Sequence, residues 1–463
     1  MHKKISNISL ALLIIAAIDS IRNLPSSALF GSSLIFFFIL SAILFFFPTA
    51  LVAAELTAAF PKESGIYHWI RLAFGEKIGM LAIWLQWINT MVWYPTILSF
   101  IAGTFAYLIN PALVENKTYL ALMIVGSFWG LTLISLRGFH FSTKVNSLCA
   151  FLGTIIPMAL LIILGLLWVF KGEPIQIKFG MHDLLPSLNI DNWISLTAIM
   201  ASFLGMELAG VHILDVKNPQ KNFPRVLMLA AFFILFSMLF GSIAIAIVLP
   251  TAQIHLVSGV LQVFSAFFQA FHLAWFLPIL VLSIVIGSLG NIISWQTSPA
   301  RGLLHAAEFG YLPKFFTKQT AQGVPKNIMI TQACLVSIVC LLFLLIPSVN
   351  GFYWFLTALS TNLYMLMYVL LFLSAIRLRQ TRVLDKAFFH IPGRKKGLIT
   401  VCTLGLLGCF LTLFVGFIPP TEINVGNTTH YTLYMAAMMI FSIASVSGFF
   451  IYKKCKTSST TPP

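Results

Sequence analysis

Long apolar segments separated by short polar loops make up nearly all of this 463-residue chain. A helix that crosses the hydrocarbon core of a membrane needs about 20 apolar residues. Twelve segments meet that length, so the pattern predicts an all-α integral membrane protein with twelve transmembrane helices. The predicted spans are residues 6–29, 31–59, 78–108, 118–137, 144–170, 193–214, 225–249, 264–300, 327–347, 351–376, 397–418 and 431–452.

Polar residues interrupt two of these segments in mid-span, the first at residues 19–25 and the sixth at residues 203–210. Lipid cannot hydrogen-bond a free backbone, so an interrupted membrane helix is tolerated only where it lines a cavity or is buried in protein. Paired interruptions in corresponding positions of two halves are the sequence signature of a transporter's substrate site. The two broken helices therefore predict a solute carrier.

Composition argues against a soluble protein, because only 9% of the residues are charged and 59% are hydrophobic. In soluble domains roughly a quarter of the residues are charged. The net charge of +15 comes from short loops and not from a basic stripe with interleaved aromatics, which argues against nucleic-acid binding. The six cysteines show neither metal-ligand spacing nor a disulfide framework. We therefore expect no metal, no cofactor and no enzymatic activity.

The distribution of lysine and arginine predicts the orientation in the membrane. With the N-terminus inside, 24 of the 28 Lys and Arg residues fall on the cytoplasmic side, as the positive-inside rule requires. Both termini are then cytoplasmic, and the first segment is a membrane helix and not a removable signal peptide. The first and sixth spans run in opposite directions, as a five-plus-five inverted repeat requires.

Side chains at the two interruptions are the candidate substrate ligands. Broken helices offer free N–H groups to an anion and free carbonyls to a cation, so two facing breaks suit a zwitterion such as an α-amino acid. In this interpretation Arg22 attracts a carboxylate end and Asp19 an amino end. The further substrate-binding candidates at the breaks are Ser20, Asn23, Phe203, Gly205 and Glu207.

Structural alternatives stay open for each ionisable residue at membrane depth. Asp19 and Arg22 can simply neutralise each other. Glu207 suits proton coupling or gating, since such residues usually mark a transport pathway, and it equally suits a structural hydrogen bond. His212 belongs to the residue type that titrates near neutral pH, yet a lone histidine near a membrane face is more often a packing residue. Glu55 is expected to be structural.

Spans three, eight and ten carry polar and aromatic residues that can line a cavity. Aromatic faces attract a cationic amino group, although any one of these residues is more often part of the core or of an interface belt. The candidates are Gln86, Trp87, Asn89, Trp93, Tyr94, Ser288, Asn291, Trp295, Trp354, Ser360 and Asn362.

Three groups of motifs together resemble the amino acid–polyamine–organocation (APC) superfamily of permeases. Residues 54–67, with Ala54-Glu55-Leu56 and Phe60-Pro61, are similar to the exit of that family's second span. Residues 203–207 (Phe-Leu-Gly-Met-Glu) with 217–224 are similar to its sixth-span signature, and 298–325 to its eighth-span exit. Residues 25–28 and 33–38 are most like the bacterial glutamate/γ-aminobutyrate antiporter branch.

The resemblance implies the LeuT-like fold, with broken helices 1 and 6 in a five-plus-five inverted repeat. The first repeat would cover about 6–170, the second about 193–376, and two additional helices 397–452. These 452 residues form one transporter domain, followed by a short basic cytoplasmic tail at 453–463. Two departures stand out: the first break lacks the glycines of most relatives, and this tail is too short for the folded plug of the glutamate/γ-aminobutyrate exchangers.

The function implied is an amino acid antiporter of the bacterial cytoplasmic (inner) membrane that works by alternating access. Glu207 would be a gating or substrate-proximal acid, His212 a second gating candidate and Trp295 a cavity aromatic. The partners are then an amino acid substrate and the lipid bilayer, and a homodimer is allowed. The alternatives are a polyamine or other organic cation permease and a proton-coupled amino acid symporter. The sequence disfavours an amino acid sensor, which would be expected to carry a long soluble domain. It also disfavours a membrane enzyme, which would need a convergent set of acid, base or metal-binding residues.

Overall fold

Helices form nearly all of the described backbone, as the apolar pattern predicts. The computed structural model describes residues 6–61, 65–138, 148–149, 151–186, 190–215, 218–308, 310–381, 383–386 and 389–458, and no strand occurs in these ranges. The α-helices are α1 (Asn7–Ile18), α2 (Leu24–Ala28), α3 (Leu34–Ser41), α4 (Phe47–Ala59), α5 (Ile66–Phe74), α6 (Glu76–Ile109), α7 (Lys117–Leu136), α8 (Ile156–Lys171), α9 (Met181–Leu184), α10 (Ile190–Trp193), α11 (Ser195–Ala201), α12 (Pro219–Val248), α13 (Gly259–Ala270), α14 (Leu277–Glu308), α15 (Lys326–Cys340), α16 (Val349–Gln380), α17 (Arg394–Val415) and α18 (Thr428–Ser458).

Ten helical stretches in the described part of the chain are long and apolar enough to cross a membrane. They correspond to the second to fifth and the seventh to twelfth predicted segments. The first and sixth segments are absent from this set because their helices break after Ile18 and Ala201. An integral membrane protein of many apolar helices is therefore confirmed, and both predicted interruptions are real breaks in the backbone.

The predicted eighth span, 264–300, is wrong at its start. The structure divides it into α13, which ends at Ala270, and α14, which begins at Leu277. His272 adopts a left-handed conformation (φ 57°). The N–H of His272 bonds to the carbonyl of Gln269 at 3.3 Å, and that of Leu273 to the carbonyl of Phe268 at 2.7 Å. These two bonds form a Schellman cap, which ends a helix without glycine or proline.

The long helices α6 and α16 form the centre of the bundle. They pack against each other, and α6 also packs against α14. Each of the two buries 72% of its most apolar stretch, whereas α18 buries only 22%. The broken segments lie around this centre, since α1 packs against α12 and α11 packs against α3 and α16.

A buried ion pair ties α4 to α16. Glu55 is 1% exposed and bonds to the guanidinium of Arg379. Its second oxygen accepts the backbone N–H of Ile391 at 3.1 Å, and His390 Nδ1 lies 3.4 Å from the first. A buried carboxylate needs such partners to offset its desolvation. The arrangement agrees with the structural role expected for Glu55.

Candidate functional site

The first break separates α1 from α2. After Ile18 the backbone becomes extended at Ser20 (φ −141°, ψ 107°) and then forms a 3₁₀ turn, Ile21–Asn23, that leads into α2. Residues 21–29 are all buried. Because the helix stops there, the last carbonyls of α1 lose their helical partners and can face a ligand. The break lies inside the protein, where an irregular backbone is tolerated.

Arg22 is the only residue of the 3₁₀ turn with a charged side chain, and it is only 6% exposed. Its Nη1 donates to Thr96 Oγ1 on α6 at 2.6 Å, and the guanidinium carbon lies 5.0 Å from the centroid of the Trp93 ring. Its Nε has no hydrogen-bond partner, and among the described residues no carboxylate pairs with it. A buried guanidinium without a counter-anion is unfavourable, so a bound carboxylate would stabilise it.

Asp19 turns toward α12 and not toward Arg22. Its Oδ2 accepts a hydrogen bond from Ser237 Oγ at 2.8 Å, while Oδ1 is buried without a partner. Asp19 and Arg22 form no ion pair among the described residues, so mutual neutralisation is the wrong interpretation of this pair. Each side chain instead keeps one polar atom available.

The second break follows α11. The backbone turns through residues 202–205 and continues as a 3₁₀ segment, Met206–Asp215. Gly205 has φ +107°, a conformation that residues with a Cβ rarely adopt. A Cβ built on Gly205 would lie 3.8 Å from Ile18, the last residue of α1, and 3.8 Å from the Trp295 ring on α14. The two breaks therefore adjoin at Gly205.

Trp295 connects the second break to the surroundings of Arg22. Its ring centroid lies 5.3 Å from that of Trp93, the ring beneath the guanidinium of Arg22. Its backbone carbonyl accepts a hydrogen bond from Tyr94 Oη at 3.0 Å. A continuous row of contacts thus crosses both breaks, from Arg22 through Trp93 and Trp295 to Gly205.

Two tyrosines of α16 hold the carboxylate of Glu207, which is 2% exposed. Tyr364 Oη donates to Oε1 at 2.7 Å, and Tyr368 Oη donates to Oε2. Tyr368 Oη also accepts the backbone N–H of Gly205 at 2.8 Å, and Tyr364 Oη accepts from Gln86 Nε2 on α6 at 3.3 Å. A proton on Glu207 would turn one acceptor oxygen into a donor, and the hydroxyl of the tyrosine bonded to it would have to reorient and rearrange its other hydrogen bond.

Phe203 makes its ring contacts with α3 and with residues 42–46, which follow α3. The ring stacks on Phe46 at 4.3 Å and meets Phe38 edge-on at 5.8 Å. These contacts give Phe203 a packing role between α11 and the second predicted span, apart from the row that joins Trp93 to Gly205.

The remaining candidates lie in or near the breaks. Ser20 is half-buried in the first break, and Asn23 is buried, with its backbone carbonyl bonded to Ser26 Oγ at 2.7 Å. His212 lies on the 3₁₀ segment of the second break, and its side chain is outside the described part of the structure.

Sequence reasoning missed several residues that complete the site: Thr96, Ser237, Tyr353, Tyr364 and Tyr368. Tyr353 Oη donates to the backbone carbonyl of Arg22 at 3.2 Å. The only signal in the sequence was the spacing of Tyr364 and Tyr368, four residues apart and hence on one face of a helix. That signal is weak, because aromatics at helical spacing are common in membrane interfaces.

The arrangement suits recognition of a small ion with both signs of charge. A guanidinium over an aromatic ring can attract a carboxylate, and a carboxylate oxygen without a partner, such as Oδ1 of Asp19, can accept from an ammonium group. Within the described residues, no group of three His, Cys, Asp or Glu side chains could hold a metal ion.

Comparison with known proteins gives the family. The amino acid permease family model matches residues 5–451. The chain is 36% identical over 442 residues to an uncharacterized transporter of Legionella pneumophila, covering 95% of both chains. It is 29% identical to a glutamate/gamma-aminobutyrate antiporter of Lactococcus lactis, covering 98% of this chain and 91% of that protein. A probable agmatine/putrescine antiporter of Lactococcus lactis is 24% identical, covering 96% of this chain and 94% of that protein. The chain therefore belongs to the amino acid permease family of the APC superfamily.

Proposed function

We propose that this transporter exchanges amino acids across the bacterial cytoplasmic membrane by alternating access. The observation that carries the proposal is the guanidinium of Arg22, which is buried beside both breaks with its Nε unpartnered. The similarity to a glutamate/gamma-aminobutyrate antiporter over 98% of the chain favours exchange of such substrates.

In this proposal the substrate completes the two incomplete charges of the first break. Its carboxylate binds Arg22 against the Trp93 ring, and its amino group binds Asp19 Oδ1. Arg22 and Asp19 each lose a favourable partner when the substrate leaves. The empty site is then less stable than the occupied one, which favours binding of another substrate before the transporter changes conformation. That property favours exchange over net uptake.

Glu207 acts in this proposal as the gating acid. Its bonds to Tyr364 and Tyr368 link the second break to α16, so a change in its protonation would alter how Gly205 is held. His212 remains a second gating candidate on the same segment.

The twelve-span topology is part of the proposal. In it, the ten long apolar helices, together with α1–α2 and α11 with the segment that follows it, would make twelve crossings. An even number puts both termini on one side, the cytoplasmic one by the positive-inside rule. The five-plus-five inverted repeat, the two additional C-terminal helices and the option of a homodimer complete this model.

A polyamine or organic cation antiporter is the second candidate, favoured by the partnerless Oδ1 of Asp19 and by the 24% identity to a probable agmatine/putrescine antiporter. The buried charge of Arg22 weighs against it, because it would repel a cationic substrate held at the same break.

Counterflow in proteoliposomes tests the proposal. Vesicles are preloaded with one common amino acid, γ-aminobutyrate or putrescine, and the entry of labelled glutamate and of a labelled neutral amino acid is followed. We expect entry only into vesicles preloaded with an amino acid or with γ-aminobutyrate. Entry into empty vesicles driven by a proton gradient would replace exchange with symport, and entry into vesicles preloaded with putrescine alone would favour the polyamine antiporter.

A further inference from the structure

A basic groove lies at the N-terminal end of α12, separate from the two breaks. The groove has a volume of about 540 Å³ and is lined by Gln220, Lys221, Pro224, Arg225, Met228 and Phe389. Lys221 and Arg225 are four residues apart and so lie on one face of the helix. Neither forms an ion pair with a described acidic residue. The groove thus carries two positive charges with no counter-charge from the described chain.

An apolar stripe continues from the groove along the same face of α12. Four exposed apolar side chains follow Arg225 at helical spacing: Leu229 (65% exposed), Phe232 (59%), Phe233 (44%) and Phe236 (55%). From Arg225 to Phe236 the helix rises about 16 Å, at about 1.5 Å per residue. That length is close to half the thickness of a hydrocarbon core of about 30 Å. Because the predicted seventh span, 225–249, begins at Arg225, we place the basic groove at the depth of the headgroups, and a stripe of this length then matches one leaflet.

A neighbouring helix gives the stripe a second wall. The Phe232 ring lies 4.9 Å from the ring of Phe47, at the start of α4, and α12 packs along α4. An acyl chain lying on Phe232 is therefore held between two helices and not on a smooth surface.

We propose that the groove and the stripe together bind one anionic phospholipid. Its phosphate lies between Lys221 and Arg225, and its acyl chains follow Leu229 to Phe236. A free phosphate ion would leave the stripe unused. A zwitterionic lipid brings its own cation into a groove that already carries two positive charges, so an anionic headgroup such as phosphatidylglycerol is favoured.

The bound lipid would also act on the rest of the bundle. Phe389, which borders the groove, directly precedes His390 and Ile391, the residues that contact Glu55. A lipid in the groove therefore holds this segment against α12 while Glu55 holds it against α4. Loss of the lipid is expected to loosen the tie between α4 and α16.

Native mass spectrometry of the purified full-length protein tests the proposal. The protein in neutral detergent is titrated with phosphatidylglycerol, with phosphatidylethanolamine and with glycerol phosphate. We expect one retained phosphatidylglycerol. The double variant Lys221→Gln/Arg225→Gln should weaken its binding by roughly fivefold for each charge removed. The charge-keeping variant Lys221→Arg/Arg225→Lys should retain the lipid.

Lys314→Gln/Lys318→Gln is the matched control, because it removes two exposed charges from another loop. The control should bind phosphatidylglycerol as the unmodified protein does. If the double groove variant does not fold, the single variant Arg225→Gln tests the proposal instead, again by retention of phosphatidylglycerol in native mass spectrometry. Equal binding by groove and control variants overturns the proposal, as does equal retention of phosphatidylethanolamine or retention of glycerol phosphate alone.

Discussion

At the scale of single residues, the first break contains two buried ionisable side chains, each with a polar atom that no described residue bonds. Arg22 contacts the ring of Trp93 and the hydroxyl of Thr96, but no described acidic side chain pairs with it. Only one of the two carboxylate oxygens of Asp19 accepts a hydrogen bond, from the hydroxyl of Ser237. Buried charges of this kind are costly in a membrane protein and are retained where function needs them. A zwitterionic substrate would supply both missing partners at once.

Asp19→Asn tests the cationic half of this site. Asparagine can still accept the hydrogen bond from Ser237, but it loses the charge that attracts an ammonium group. We expect the apparent affinity for amino acids in counterflow to fall by roughly tenfold to a hundredfold. Asp183→Asn, at an exposed position on α9, serves as the control and should leave transport unchanged. Equal affinity in the two variants would remove Asp19 from the site.

Glu207→Gln tests the gating role. Glutamine keeps an acceptor oxygen for one tyrosine but cannot gain or lose a proton. We therefore expect the pH dependence of counterflow to flatten, and the pH–rate profile of purified protein measures this. Tyr364→Phe is the control, because it removes one hydrogen bond and leaves the carboxyl group titratable. A Glu207→Gln profile of unchanged shape would give the residue a purely structural role.

At the scale of elements, the sequence predicted the breaks because each one interrupts an apolar segment with residues that lipid does not tolerate. It did not predict the end of α13, because His272 ends that helix through backbone conformation in a stretch with no glycine or proline before Pro278. The sequence also did not predict which residues contact the site residues. Thr96 and Tyr368 become neighbours of the breaks only through packing of α6 and α16, which hydropathy does not encode.

Gly205→Ala tests the backbone conformation at the second break. The nearest atoms to a new Cβ are 3.7 Å away, so no clash results, and the cost comes from φ +107° alone. We expect a loss of about 1–3 kcal/mol in stability, seen as a lower unfolding temperature in detergent. Gly126→Ala, in open space on α7, should instead stabilise the protein by roughly 0.5–1 kcal/mol. Equal stability of the two variants would contradict this account.

Glu55→Gln tests the tie between α4 and α16. Removing one partner of a buried ion pair costs about 3–5 kcal/mol, because the guanidinium of Arg379 loses its bond to the Glu55 carboxylate. Thermal unfolding of the purified variant measures the loss. Glu173→Gln breaks the partly exposed pair with Lys171 (3.0 Å) and should cost less than about 1 kcal/mol. A Glu55→Gln variant as stable as Glu173→Gln would mean that the pair contributes nothing to the packing of these helices.

At the scale of the whole molecule, the charge asymmetry and the twelve proposed crossings predict an orientation that reporters can check. Alkaline phosphatase fused after Glu115, between α6 and α7, should be active because the proposed topology puts that loop outside the cytoplasm. The same enzyme fused after Gln319, between α14 and α15, should be inactive. A fluorescent protein fused to the C-terminus should fluoresce. A dark C-terminal fusion, or phosphatase activity at both loops, would contradict the topology.

Counterflow by Arg22→Gln is the most direct test of the central claim, that the breaks bind an amino acid through its carboxylate. Reconstituted variant and unmodified protein are compared for entry of a labelled amino acid that the latter exchanges, with Arg137→Gln, at an exposed position after α7, as the control. We predict that Arg22→Gln lowers the apparent affinity by roughly thirtyfold or more, because a buried charge pair is lost, while the control transports normally. Exchange by a folded Arg22→Gln protein at the unmodified rate and affinity would contradict the account.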